Sequence, residues 1–137
     1  MSSPNHKTRK AYRQGELVFI PLTAAELQAM DSGAPRGLFL RFRPLDTDVI
    51  REGEATGHRH QVLAGVAAAA MLLTPVAPLP AGLPDMAPVG ADDRLLLAES
   101  AVQITHPEHR PLRLPKGRYL IVVQREYDEA RQRRVLD

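Results

Sequence analysis

Gly117-Arg118-Tyr119-Leu120-Ile121-Val122-Val123-Gln124-Arg125-Glu126-Tyr127 decides the fold. In an extended chain successive side chains point to opposite faces. Tyr119, Ile121 and Val123 therefore share one face, and Leu120 and Val122 share the other. Both faces are apolar, which predicts a strand buried on both sides and central in its sheet. Pro115-Lys116-Gly117 reads as the turn that precedes it. The remainder of the chain must supply the strands that flank it and the layers that cover it.

Working back from that strand, Pro111 to Leu114 is a short strand, and His106 to His109 is a turn held by Pro107. Arg94 to Glu99 and Ser100 to Thr105 read as consecutive strands, or as one strand with a bend. Thr74 to Asp93 carries prolines at 75, 78, 80, 84 and 88, a density that no regular element survives. It is expected to be a long Pro-rich loop or an insertion. Val66 to Leu73 is rich in alanine and fits either helix or strand. His58 to Gly65 reads as a strand entering the core, with His58 and His60 at its mouth.

Nearer the N-terminus, Gly37 to Arg43 is a strand ended by Pro44, and Asp46 to Arg51 is a turn or a short strand. Glu16 to Ile20 is the first strand, stopped by Pro21. Thr23 with Glu26 three positions on forms a capping box, so a helix of about two turns follows, ended by Asp31-Ser32-Gly33. About seven or eight short strands, frequent turns and one short helix predict a mainly β chain, a small single-domain barrel or sandwich. The expected organisation is a disordered basic arm over 1–14, a β domain over 15–127 with the Pro-rich loop at 74–93, and a charged tail over 128–137.

At 137 residues the chain fits one domain with a workable core. It has no cysteine, which excludes disulfides, thiolate metal ligands and a cysteine nucleophile, and which fits a cytoplasmic protein. The polar start lacks the apolar stretch of a secretory signal. The longest apolar run, Val62 to Leu73, falls short of the roughly twenty residues a membrane span needs, so no membrane partner is expected. Eighteen basic residues face sixteen acidic ones, giving a formal charge of +2 and a mixed, solvated surface.

The histidines are distributed unevenly. His6 lies in the arm, and the other four form two pairs, His58 with His60 and His106 with His109. Alternation puts His58 and His60 on one face of a strand. A bend at Pro107 lets His106 and His109 face them. Neutral imidazole suits Zn, Fe and Ni, so the leading expectation is a divalent-metal site of His58, His60, His106 and His109, with Glu54 as a further ligand and Glu108 as a nearby carboxylate.

Gly53-x4-His58-x-His60, followed downstream by Pro115-x-Gly117 before a strand, resembles the cupin pattern. That resemblance implies a double-stranded β-helix barrel binding Zn, Fe, Ni or Mn. It covers about half the chain, and only His58 and His60 carry over. Leu63, Ala64 and Gly65 stand where the family has its glutamate, and Tyr119, Leu120 and Ile121 where it has its last histidine.

Two other readings stay open. The same four histidines could be catalytic without metal, as base and acid in cleaving RNA. Arg59, Arg110, Arg125 and Tyr127 would then be candidate phosphate-binding residues, with Thr56 beside them. Alternatively the chain is a non-enzymatic accessory subunit whose Pro-rich loop and two charged ends dock on a larger partner. The small number of aromatic residues argues against a base-stacking platform. No phosphate loop, dinucleotide turn or nucleophile elbow is present.

Overall fold

The computed structural model describes residues 10–30, 41–53, 57–63, 70–76 and 89–124. Its elements are β1 (Tyr12–Gln14), β2 (Leu17–Leu22), α1 (Ala24–Met30), β3 (Phe42–Pro44), β4 (Val49–Glu52), β5 (Arg59–Leu63), β6 (Ala70–Pro75), β7 (Arg94–Ala98), β8 (Val102–Thr105), β9 (Leu112–Leu114) and β10 (Gly117–Val123). Among the described residues all strand pairings are antiparallel.

Of barrel and sandwich, the strands form two sheets facing one another. The larger has the order β1-β2-β10-β7-β6-β3 and the smaller β4-β5-β8-β9. As its two apolar faces require, β10 lies inside the larger sheet between β2 and β7, and Tyr119 to Val123 are all buried. Ile121 and Val123, with Leu17, Phe19 and Leu96, face Ile50, Val62, Ile104 and Leu114 of the smaller sheet. Leu120 and Val122 face the other way and pack with Val18, Ile20, Met30 and Val89. The larger sheet is thus the middle layer, with the smaller sheet on one side and α1 contributing to the cover on the other.

The helix starts as its sequence dictates. Glu26 N–H donates to Thr23 Oγ1 at 3.1 Å, and Thr23 N–H donates to Glu26 Oε1 at 2.8 Å. These reciprocal bonds satisfy donors that a helix end otherwise leaves unpaired. A helix of seven residues cannot hold its shape alone, so burial of Met30 against β2 and β10 fixes it.

Four expected boundaries move. Residues 12–14 are not part of a disordered arm: they form β1, and Gln14 is buried, because Tyr12, Arg13 and Gln14 pair with Phe19, Val18 and Leu17. The first apolar strand runs through Pro21 to Leu22. Its β1 neighbour reaches only to Phe19, leaving an edge position of the kind where strands tolerate proline. Strand β3 begins at Phe42 and includes Pro44, since Phe42 to Pro44 pair with Pro75 to Leu73. The expected Pro-rich loop contributes Thr74 and Pro75 to β6 and the buried Val89 to the core, while 77–88 lie outside the described residues. Also outside them are the start of the arm, the expected strand from Gly37, most of the alanine-rich stretch and the charged tail.

Candidate functional site

The site lies where the β1–β2 hairpin of the larger sheet meets β5 and the β8–β9 connection of the smaller one. Strand β5 runs antiparallel to β8 with Gln61 opposite Thr105 and Val62 opposite Ile104. Continuing that register outward sets His60 opposite His106 and His58 opposite Glu108. The side chains agree. The His60 and His106 rings lie 4.4 Å apart centre to centre, and His58 Nδ1 is 2.5 Å from Glu108 Oε1. Pro107 bends the chain after β8, which brings His109 to the same side. Its ring is 4.5 Å from His106 and stacks at 6.1 Å and 12° on His60. His58 meets His106 edge-on at 5.9 Å. The four histidines singled out in the sequence therefore share one locus.

Alternation along β5 sends His60 and Val62 inward and Arg59 outward. His60 is only 1 % exposed, which means that both ring nitrogens need partners within the protein. They have them: Nδ1 is 2.9 Å from Gln14 Oε1 and Nε2 is 2.5 Å from Glu16 Oε1. Burial pushes His60 below its ordinary pKa of 6.5, Glu16 opposes that shift, and His106 and His109 add to it. His106 is also lowered, by burial first and then by His109. Hydrogen bonding acts in the same direction, because Glu108 N–H donates to His106 Nδ1 at 3.0 Å. A nitrogen that accepts a bond carries no proton, so this contact holds His106 neutral with its hydrogen on Nε2.

Glycines shape the two approaches. Gly15, between Gln14 and Glu16, has φ +58°, and a Cβ there would lie 2.7 Å from His109 Nε2 and 3.3 Å from His60 Cε1. Gly57, with φ +81°, makes the turn into His58.

The other expected residues divide. Arg59 stands on the outer face of β5, 3.9 Å from Glu52, and is turned away from His60. Arg110 is exposed, and its carbonyl oxygen accepts from Gln14 Nε2 at 2.8 Å. Glu54, Thr56, Arg125 and Tyr127 lie outside the described residues. Gln14 and Glu16 were missed by the sequence reading. A single glutamine and a single glutamate carry no spacing signal, and Gln14 lies in the stretch expected to be the arm. Among the described residues, no group of three or more His, Asp or Glu side chains is arranged to hold a metal ion.

The fold and site together define a mainly β, two-sheet chain with a histidine–carboxylate cluster at one end of the sandwich. By its match over residues 13–124, the chain belongs to the family described as Domain of unknown function (DUF8820). The match takes in Gln14 and Glu16 as well as both halves of the cluster. No curated protein and no solved structure matches the chain. Among the described residues no helix is long and apolar enough to cross a membrane.

Proposed function

We propose that the cluster is a general acid–base centre working through neutral imidazole without a resident metal ion. The observation that carries this reading is the buried His60 with Nε2 2.5 Å from Glu16 Oε1. The contact sets His60 Nε2 and the Glu16 carboxyl within reach of one another for proton transfer, so the ring can take up a proton and give it back. His58 supplies the complementary group. Glu108 orients its Nδ1, while the ring, 38 % exposed, keeps Nε2 for a partner in solution. A base and an acid held this way accelerate proton-transfer chemistry by roughly 10²–10⁴ each. RNA is the substrate class to test first, since cleavage by its 2′-hydroxyl needs one proton removed and one returned. Arg110, next to His109, supports it as a cation for phosphate. The lack of cysteine fits a reducing, cytoplasmic setting.

A second reading, a divalent ion such as Zn, Fe, Ni or Mn, is favoured by one observation. His60 and His58 each have Nδ1 tied to an oxygen, as ligating imidazoles usually do. The cupin likeness supports this reading through His58 and His60 alone. It would require Glu16 to leave His60 Nε2, and Glu108 N–H to release His106 Nδ1.

One assay separates the two. Cleavage of polyuridylate and of p-nitrophenyl acetate is followed from pH 5 to 9 in excess EDTA. The acid–base reading predicts a bell-shaped rate that falls at least tenfold in the H58Q and H60Q variants. A rate that appears only with added divalent ion and falls monotonically with acid supports the metal instead. Unchanged rates in both variants reject the cluster as the working site.

A further inference from the structure

Gln14, Gly15 and Glu16 are consecutive, and together they enclose one edge of the His60 ring. Gln14 meets Nδ1, the Gly15 backbone lies over Cε1, and Glu16 meets Nε2. Strands β1 and β2 pair with Gln14 opposite Leu17, so Gly15 and Glu16 are the two residues of the hairpin turn. Type I′ and II′ two-residue turns need a positive φ at their first position, which Gly15 provides. A bare Cα there also leaves room for His60 and His109 to come close.

The side-chain amide of Gln14 is not free to turn over. Its Nε2 donates to Ile104 O at 2.9 Å and to Arg110 O at 2.8 Å. Both acceptors are backbone carbonyls. A flipped amide would set its own oxygen against those two oxygens and lose both hydrogen bonds. Gln14 is 4 % exposed, so water offers no alternative partner. Its Oε1 is thus fixed toward His60, and an amide oxygen only accepts. The atom it accepts from, His60 Nδ1, must carry a hydrogen.

We propose that Gln14 is a positioning residue that locks His60 in the Nδ1–H form, so that Nε2, the nitrogen facing Glu16, is the one that gains and loses a proton. The step balances: a proton taken up forms an Nε2–H bond that faces Glu16 Oε1, and its release restores the Nε2 lone pair. The lock excludes the competing tautomer, in which Nε2 would carry the hydrogen and the lone pair would sit on Nδ1, turned toward Gln14 and away from Glu16. The β1–β2 turn is then the device that aims the centre, and Ile104 and Arg110 carry its anchorage to the smaller sheet.

This inference rests on the acid–base reading for its catalytic meaning, but the tautomer is measurable without any substrate. The experiment is a long-range ¹H–¹⁵N correlation spectrum of the full chain, with His60 assigned by comparison with the H60Q variant. In wild-type protein at pH 8, His60 Nδ1 is expected to show the shift of a protonated, pyrrole-type nitrogen. Gln14→Met keeps the size and removes the acceptor, and is expected to give the Nε2–H form or a mixture. Gln14→Glu retains an acceptor and is expected to restore the Nδ1–H form, although it loses the donors to Ile104 and Arg110. A wild-type spectrum with unprotonated Nδ1 overturns the proposal whether or not the variants fold. So does Gln14→Met with an unchanged tautomer. If the tautomer behaves as expected but no RNA or ester is cleaved, the acid–base function fails and the lock stands.

Discussion

Gly15 shows how far one residue can set the site. Its backbone occupies the left-handed region, which costs a residue with a Cβ about 1–2 kcal/mol. The added carbon would also meet His109 Nε2 at 2.7 Å. His109 is exposed and can swing out, so Gly15→Ala is expected to lower stability by about 1–2 kcal/mol and to unstack His109 from His60. Urea denaturation measures the first effect and histidine NMR shifts the second. A second residue-scale prediction follows from His60 and His106, both lowered from 6.5 in the folded protein. Folding therefore makes both rings poorer bases. Below 6.5, and down to the folded values, the unfolded chain binds more protons than the native one. The contribution of these rings to stability is complete above about 6.5 and declines as pH falls through that window. Denaturation midpoints at pH 7.5, 6.5 and 5.5 should decline in that order, and His106→Gln should flatten the decline. A midpoint that rises toward pH 5.5 would contradict the neutral resting state.

At the scale of elements, the sequence showed most where local rules are strong. The capping box at Thr23 and Glu26 is present as written, and Thr23→Ala should cost about 1 kcal/mol by chemical denaturation. Strand β10 was legible because both its faces are apolar, and the core it organises makes the cost of a hole large. Ile121, 1 % exposed, packs between the sheets, and Ile121→Ala is expected to destabilise by about 2–5 kcal/mol. The short strand β1 was not legible. Tyr12-Arg13-Gln14 has no apolar alternation, and it is a strand only because β2 and the smaller sheet give it partners. The two histidine pairs stood out in the sequence, but what joins them did not. The register that opposes His60 to His106 and His58 to Glu108 is a long-range pairing of β5 with β8, separated by two strands of the other sheet. No local spacing encodes it, nor the arrival of Gln14 and Glu16 from the far end of the chain.

For the whole molecule, the histidine cluster ties the two sheets together at one end, and the shared apolar core does so along their faces. The stretch expected to be a Pro-rich excursion connects β6 to β7, which are adjacent antiparallel neighbours with Leu73 opposite Leu95. A short connection can span those ends, and loop length costs little entropy. Replacing residues 77–88 with a short Gly-Ser linker, while keeping the buried Val89, should leave a cooperative thermal melt. Loss of cooperativity would make that stretch part of the core. The central claim, however, is that His60 and His106 rest in the neutral state within one cluster to which His109 belongs. Its most direct test is an NMR pH titration of the histidine ring protons in wild-type protein and in His109→Gln. The expected midpoints for His60 and His106 lie below 6.5, and both rise when His109 is replaced, because His109 opposes the charging of each. Midpoints at or above 6.5 in wild-type protein, with no response to His109→Gln, would contradict the account.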